Sequence, residues 1–163
     1  MFTTRLLIRQ LNHPLDDQPD WLNDPRNTKY SEQRHHVGLH DKRSCADYVK
    51  SCSIFWGIQE IDCGEWIGSM ASMVDENNDI ADLGILIHHE YVGKGYGTEA
   101  WEAACTHLLI KLRKVEAGCM ASNRGMRRIF EKSGMVYEGE RKNHFLFDGN
   151  PVNLVQYAKW AGG

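Results

Sequence analysis

The sequence predicts an α+β, or mixed α/β, fold: a largely antiparallel sheet of about seven strands flanked by helices. Three observations lead there. Short apolar segments rich in β-branched and aromatic residues recur between hairpin-type turns in the middle of the chain. Two later stretches change to the three-and-four spacing of amphipathic helices. Between these regimes, a glycine-rich loop joins a strand at 80–87 directly to a helix.

Taken in order, Thr3 to Leu11 reads as a first strand that His13-Pro14 ends. Asp16 to Asn23, with Trp21 and Leu22, reads as a short helix, and Asn23-Asp24-Pro25 as a break. Asn27 to Leu39 is polar and loop-like, and it carries Lys29, Tyr30, Glu32, Arg34, His35 and His36. Such a loop is ordinarily solvated surface, and it is also a place where an acceptor pocket can be built. Asp41 to Ser51 follows as a helix. Ser53 to Ile61, Trp66 to Val74 and Ile80 to Ile87 are strands, separated by the turn compositions Asp62-Cys63-Gly64-Glu65 and Asp75 to Asp79. The strand at 80–87 is thus reached through an antiparallel meander rather than βαβ repeats. Ala100/Trp101, Ala104/Cys105, Leu108/Leu109 and Leu112 mark the next helix. Lys114 to Met120 is a strand, and Asn123 to Lys132 a helix closed by Ser133-Gly134. Met135 to Arg141 and His144 to Phe147 supply strand material. Asp148-Gly149 signals a hairpin, and Val152 to Trp160 is the last strand. The tail from Ala161 reads as unstructured.

Bulk properties narrow the class. The 163 residues form one domain, 1–163, with no repeat, low-complexity tract or linker, long enough to bury about two-thirds of the unfolded surface. A net charge of −3 points to neither a nucleic-acid nor a membrane surface. The five cysteines are odd in number and scattered, without a Cys-x-x-Cys pair. With no signal peptide and no long apolar run, reduced thiols and a cytoplasmic location are expected. Eight histidines include the neighbours His35/His36 and His88/His89, but no His-x-x-x-His or Cys/His spacing of a zinc site, so no metal is expected.

The chemistry concentrates between Asp82 and Thr98. Strand, glycine loop and helix together aim backbone N–H groups and a helix N-terminus at an anion. A P-loop would need Gly-x-x-x-x-Gly-Lys-Ser/Thr, which Val92-Gly93-Lys94-Gly95-Tyr96-Gly97-Thr98 does not supply. A dinucleotide fingerprint would need Gly-x-Gly-x-x-Gly, and the spacing here is one residue short. A glycine-rich turn without a ligand is the plain alternative.

Two motifs carry a more specific likeness. Val92 to Gly97 resembles the Gln/Arg-x-x-Gly-x-Gly/Ala signature of the GNAT superfamily of N-acetyltransferases. Ala121-Ser122-Asn123, the helix after it and Lys132-Ser133-Gly134-Met135 resemble that family's second motif. The opening Thr-x-Arg-Leu-x-Ile-Arg and the closing Asp-Gly…Val-x-x-Tyr resemble the branch with ribosomal-protein alanine and spermidine acetyltransferases. Trp21 to Pro25 with Tyr30 resembles, more weakly, acetyltransferases of nucleotide amino sugars. The likeness runs from end to end and implies a GNAT-like sheet splayed between the strands at 80–87 and 114–120.

It also implies acetyl-CoA as acetyl donor and an amine as acceptor. The diphosphate would rest on the N–H groups of Gly93, Lys94, Gly95, Tyr96, Gly97 and Thr98. Val92, where the family carries Gln or Arg, would contribute through its backbone. The pantetheine arm would pair with Ile85, Leu86 and Ile87 like an added strand. An N–H near Leu86 or Ile87 would hold the oxyanion. Asn123 would bond the pantetheine while capping its helix. Asp82 is the candidate base, acting through water, with Glu90, His88 and His89 as alternates. The competing reading of Asp82 is a solvent-facing carboxylate, too weak a base at its normal pKa of ~3.9. Phe130 occupies the place where the family often puts its tyrosine acid, and Met126 that of the serine in the ribosomal-protein branch. Neither donates a proton, and Phe130 is retained only as a cofactor contact. Arg127, Arg128 and Lys132 form a basic face that is solvated or approaches CoA phosphates. The expected activity is acetyl transfer to a small-molecule amine, first an amino-sugar nucleotide. The alternatives are a protein N-terminus, a polyamine, or an inactive acyl-CoA-binding module. A homodimer is compatible with all of these.

Overall fold

The computed structural model describes residues 1–36 and 38–163. Val37, inside the stretch read as loop, lies outside the described residues. The elements are β1 (Leu6–Gln10), α1 (Gln18–Asn23), α2 (Pro25–Thr28), a 3₁₀ turn at Glu32–His36, α3 (Lys42–Ser51), β2 (Ile54–Glu60), β3 (Trp66–Asp75) and β4 (Ile80–Ile87). A second 3₁₀ turn at His89–Tyr91 leads to α4 (Tyr96–Leu108), β5 (Lys114–Met120), α5 (Arg124–Lys132), β6 (Val136–Phe147) and β7 (Asn150–Trp160). The strands form one sheet in the order β1-β2-β3-β4-β5-β7-β6, antiparallel except for the β4–β5 pair.

Each helix has a local cause. Asp41 and Ser44 close a capping box on α3, each side chain accepting from the other's backbone N–H. Asn123 caps α5 through the Met126 N–H at 3.0 Å. The Trp101 ring, fully buried in α4, packs 5.4 Å from Phe130, and Phe130 lies 4.9 Å from Tyr157. Tilted aromatic contacts of this kind add about 0.5–1.5 kcal/mol each to the burial itself. With Ile58, Met70 and Leu83 they form the core beneath α4 and α5. The other sheet face lies under α1 and α3, where Trp21, Cys45 and Phe55 are buried.

Two expectations are corrected. Pro25 does not merely break the chain. It opens α2 in the first turn, where its missing N–H costs nothing, and Asp24 caps that turn through the Arg26 N–H. The stretch Asn27 to Leu39 therefore contains helical structure, including the 3₁₀ turn. The separate segments 135–141 and 144–147 are one strand, β6. Its register shifts between Arg141 and Phe145, where Asn143 takes φ 53° and absorbs the extra residues.

The feature that positions the site is a short pairing. β4 pairs with β5 over three rungs only, Ile80↔Lys114, Ala81↔Val115 and Asp82↔Glu116. β5 stays on β7 for its whole length, and β4 stays on β3. Beyond Asp82 the two strands diverge, and one edge of β4 is left open in the middle of the sheet.

Candidate active site

Strand alternation decides which groups face that opening. The His88 N–H bonds Ile67 O at 2.8 Å, and Leu86 O lies 2.5 Å from where a Cβ on Gly68 would stand. Even-numbered residues of β4 thus turn their backbone to β3. By the two-residue period, Leu83, Ile85 and Ile87 turn N–H and C=O into the cleft. Ile85 and Ile87 are where the added-strand expectation needs them. Leu86 is corrected: its N–H faces β3 and cannot reach an oxyanion in the cleft. Its side chain instead lines a cavity on the α1/α3 side.

At the open end of the cleft stands the glycine loop. Gly93 and Gly95 have φ of 80° and 85°, the left-handed region that a Cβ strains. Gly95 is the N-cap of α4 and offers no side chain, so the first N–H groups of the helix have no cap. Val92, Lys94 and the glycines of the turn are exposed, while Tyr96 and Thr98 are half-buried. Gly97 is glycine for packing: a Cβ there would lie 2.8 Å from Ile129 Cδ1 and 3.7 Å from Ile87 Cγ1. An uncapped 13-residue helix behind two left-handed glycines fits a diphosphate.

A clamp on this loop comes from the first strand. Arg5 donates through Nε to Glu99 at 2.7 Å and through Nη1 to Lys94 O at 2.9 Å, and its guanidinium stacks 4.3 Å from the Tyr96 ring. Glu99 also accepts from Thr3 Oγ1 and from the Arg5 N–H. Burial pushes Glu99 up, but these hydrogen bonds outweigh it and hold its pKa below the usual glutamate value. The sequence pointed to Arg5 as part of a strand and of the opening Thr-x-Arg-Leu-x-Ile-Arg motif. Nothing local could show that its partner is 94 residues away.

Asp82 and Glu116 sit side by side where the cleft closes. Asp82 keeps an opening to solvent, yet the atoms packed about its carboxyl matter more: burial first, then the Glu116 charge, push its pKa up. This is the shift a weak carboxylate needs to serve as a base near neutrality. Glu116 is itself engaged by Lys114 at 3.1 Å, which also reaches Glu138 at 3.1 Å. The alternates lie at the far end of β4, six residues or ~20 Å along the strand. There His88 packs 5.6 Å from Trp21, His89 meets Asp24 at 3.7 Å, and Glu90 is exposed.

Asn123 is half-buried at the start of α5, its carbonyl oxygen taken by the Met126 N–H. Phe130 is corrected. It is fully buried between Trp101 and Tyr157 and has no surface toward the cleft. Its ring fills the core because α5 is amphipathic and turns this position inward. Arg127 donates to Ala121 O at 3.2 Å, while Arg124, Arg128 and Lys132 are exposed.

A cavity on the α1/α3 side was the feature least visible in sequence. This cavity of ≈ 330 Å³ lies over Gly84 and Leu86, walled by Gln18, Gln33, His40, Ser44, Tyr48 and Ser69. Among the described residues its lining contains no carboxylate and no lysine or arginine. Gln18 is buried, its Nε2 donating to Ser69 Oγ at 3.3 Å and its Oε1 without a partner among the described residues. Burial, and next the neighbouring Cys52, push the Tyr48 phenol up to about 12, with Asp82 adding to the shift, so it stays protonated. Among the described residues no His, Cys, Asp and Glu gather in a metal-binding cluster, and no helix is long and apolar enough to cross a membrane.

A seven-stranded sheet whose β4–β5 pairing stops after three rungs beside a glycine-loop helix is the architecture of an N-acetyltransferase. A profile of the acetyltransferase (GNAT) domain matches residues 5–136, and the chain belongs to that family of acetyl-CoA-dependent enzymes. The fold is shared by solved structures at low identity. A GNAT-family acetyltransferase from Bacillus anthracis superposes with a TM-score of 0.81 at 22% identity, covering 98% of this chain and 96% of that one. A ribosomal L7/L12 alpha-N-protein acetyltransferase in complex with coenzyme A gives 0.80 at 15%, over 97% and 95%. A spermidine N-acetyltransferase from Vibrio cholerae in complex with CoA and spermine gives 0.77 at 14%, over 98% and 97%. Comparison with curated proteins gives no match.

Proposed function

We propose that the protein transfers the acetyl group of acetyl-CoA to a primary amine of a small, uncharged-headed molecule, with an amino-sugar nucleotide as first choice. The observation that carries this reading is the cavity on the α1/α3 side: its wall of amide, hydroxyl and imidazole groups holds no carboxylate among the described residues. A polyamine would call for acidic groups to balance its charges, whereas a sugar ring calls for hydrogen-bonding groups of this kind. The solved spermidine and ribosomal-protein acetyltransferases share the fold, and their acceptors are the competing choices.

Acetyl-CoA supplies a thioester carbon open to attack by a neutral amine. In this reading Gly93 to Thr98 hold the diphosphate, and Asn123 with the cleft-facing backbone of Ile85 and Ile87 holds the pantetheine. A β4 N–H from that same edge receives the developing oxyanion. Asp82, directly or through one water, takes the proton from the incoming amine. The attacking nitrogen forms a bond to the carbonyl carbon, the carbon–sulfur bond breaks, and the thiolate leaves. Its basicity, like that of a cysteine near ~8.5, lets it depart without a strong acid.

Incubation with acetyl-CoA and a panel of nucleotide amino sugars, spermidine and Ala- or Ser-initiated peptides, read by a gain in acetyl mass, tests the reading. Acetylation of amino sugars alone is the expected result. Acetylation of spermidine or peptides in preference overturns the acceptor choice. Coenzyme A binding without thiol release for any amine overturns the enzyme reading for this chain's site.

A further inference from the structure

The 3₁₀ turn Glu32–His36 has a cavity on each side. One is the neutral acceptor cavity, to which the turn contributes Gln33 and, just before it, Ser31. The other, ≈ 460 Å³, opens between α2 with this turn and the β6–β7 hairpin. Its character is opposite. Lys29, Arg34 and His35 line it, and Asp148, at the exposed hairpin tip, is its single carboxylate among the described residues. Thr28 and Phe147 complete the inner wall, and the Tyr30 ring stacks on Phe147 at 5.4 Å and 8°.

Arg34 ties the two cavities together. Its Nη1 donates to Ser31 O at 2.7 Å, and Ser31 lines the neutral cavity. Its Nη2 donates to Leu146 O at 3.0 Å across the cationic one. Nε is buried and has no partner among the described residues. A guanidinium has five N–H donors in a planar fork, so this arrangement leaves donors for a further acceptor. A cation fixed by two carbonyls, beside a lysine and a histidine, is built for a doubly charged oxyanion.

We propose that this cationic cavity is an anion subsite for the acceptor. The amine-bearing ring sits in the neutral cavity beside β4, and a phosphate of the same molecule reaches past the 3₁₀ turn to Lys29, Arg34 and His35. The substrate class is then a phosphorylated amino sugar, as a monophosphate ester or as a nucleotide diphosphate. This inference rests on the small-amine reading above and narrows it. It also separates acceptor phosphate from donor phosphate: the glycine loop takes the diphosphate of acetyl-CoA, and the cavity at the hairpin takes the acceptor's.

Two measurements test it. The first is kcat/KM with saturating acetyl-CoA for an amino sugar offered free, as its phosphate ester, and as its nucleotide diphosphate. At least a tenfold preference for a phosphorylated form is expected, and which form leads identifies the source of the anion. Lys29→Glu and His35→Glu, both on exposed side chains, should each cut that preference several-fold. The second is a titration of inorganic pyrophosphate into the CoA-bound protein, followed by amide NMR. Shifts are expected at Lys29, Arg34, His35 and 146–149. Equal kcat/KM for free and phosphorylated sugars, with no such shifts, overturns the subsite while leaving the small-amine reading in place. Shifts at Lys29 to His35 without acetylation of any amino sugar overturn the sugar reading and leave an anion site. Shifts confined to Gly93–Thr98 overturn the subsite.

Discussion

Asp82 gathers the most chemistry into one side chain. Its raised pKa means that the folded chain holds the proton more tightly than the unfolded chain does. Stability is therefore lost as the pH rises through the folded pKa, and at neutral pH the ionised carboxylate costs stability. Asp82→Asn should raise the Tm at pH 7 while lowering kcat/KM by about 10²–10⁴, the usual range for loss of a general base. A fall in Tm accompanying the fall in activity would place the defect in folding rather than in proton transfer. Glu116→Gln removes the second cause of the shift, so the acid limb of the pH–rate profile should move to lower pH. Phe130→Tyr is the complementary test. Placing the family's frequent hydroxyl in a fully buried core should cost about 1–3 kcal/mol in denaturant unfolding and give no gain in rate.

At the scale of elements, the glycine loop and the start of α4 are held by β1 rather than by their own sequence. Arg5→Ala should lower stability by about 1 kcal/mol, since its pair with Glu99 is partly exposed, and should raise the KM for acetyl-CoA more than that for the amine. Isothermal titration with CoA separates the two effects. Gly95→Glu combines a Cβ at φ 85° with a carboxylate beside the uncapped helix N-terminus. It should weaken CoA binding by at least tenfold, about 1.4 kcal/mol. Unchanged CoA affinity in this variant would remove the loop from the donor site.

Over the whole molecule, the three-rung β4–β5 pairing makes the cleft possible, because a sheet paired to its end would leave no backbone to offer. The proposed donor site lies along this split, and the cavity proposed for the acceptor lies on the α1/α3 face. The core that holds the split open, Trp101 and Phe130 against Leu83 and Val115, is on the opposite face. The side-chain period of two puts Leu83 in this core and turns Leu86 to the cavity on the other face.

Most of the element order was legible because strands, turns and helices here obey local rules: hairpin glycines, caps and switching periodicity. The donor site was legible for the same reason. Strand, loop and helix N-terminus are consecutive in sequence, and backbone N–H groups need no distant partner. The short α2 escaped because proline signals both a break and a helix start, and only the Asp24 cap decides between them. Asp82 was visible as a residue, but its partner Glu116 was not, since strand pairing joins residues far apart in sequence. The burial of Phe130, the 94-residue reach of Arg5 to Glu99 and the paired neutral and cationic cavities are likewise long-range outcomes. The candidate donor loop could be read from the chain because strand, glycine turn and helix N-terminus are consecutive. The neutral cavity proposed for the acceptor becomes visible only in the folded chain, because its walls are contributed by α1, α3, β2, β3, β4 and the chain about the 3₁₀ turn, brought together by packing.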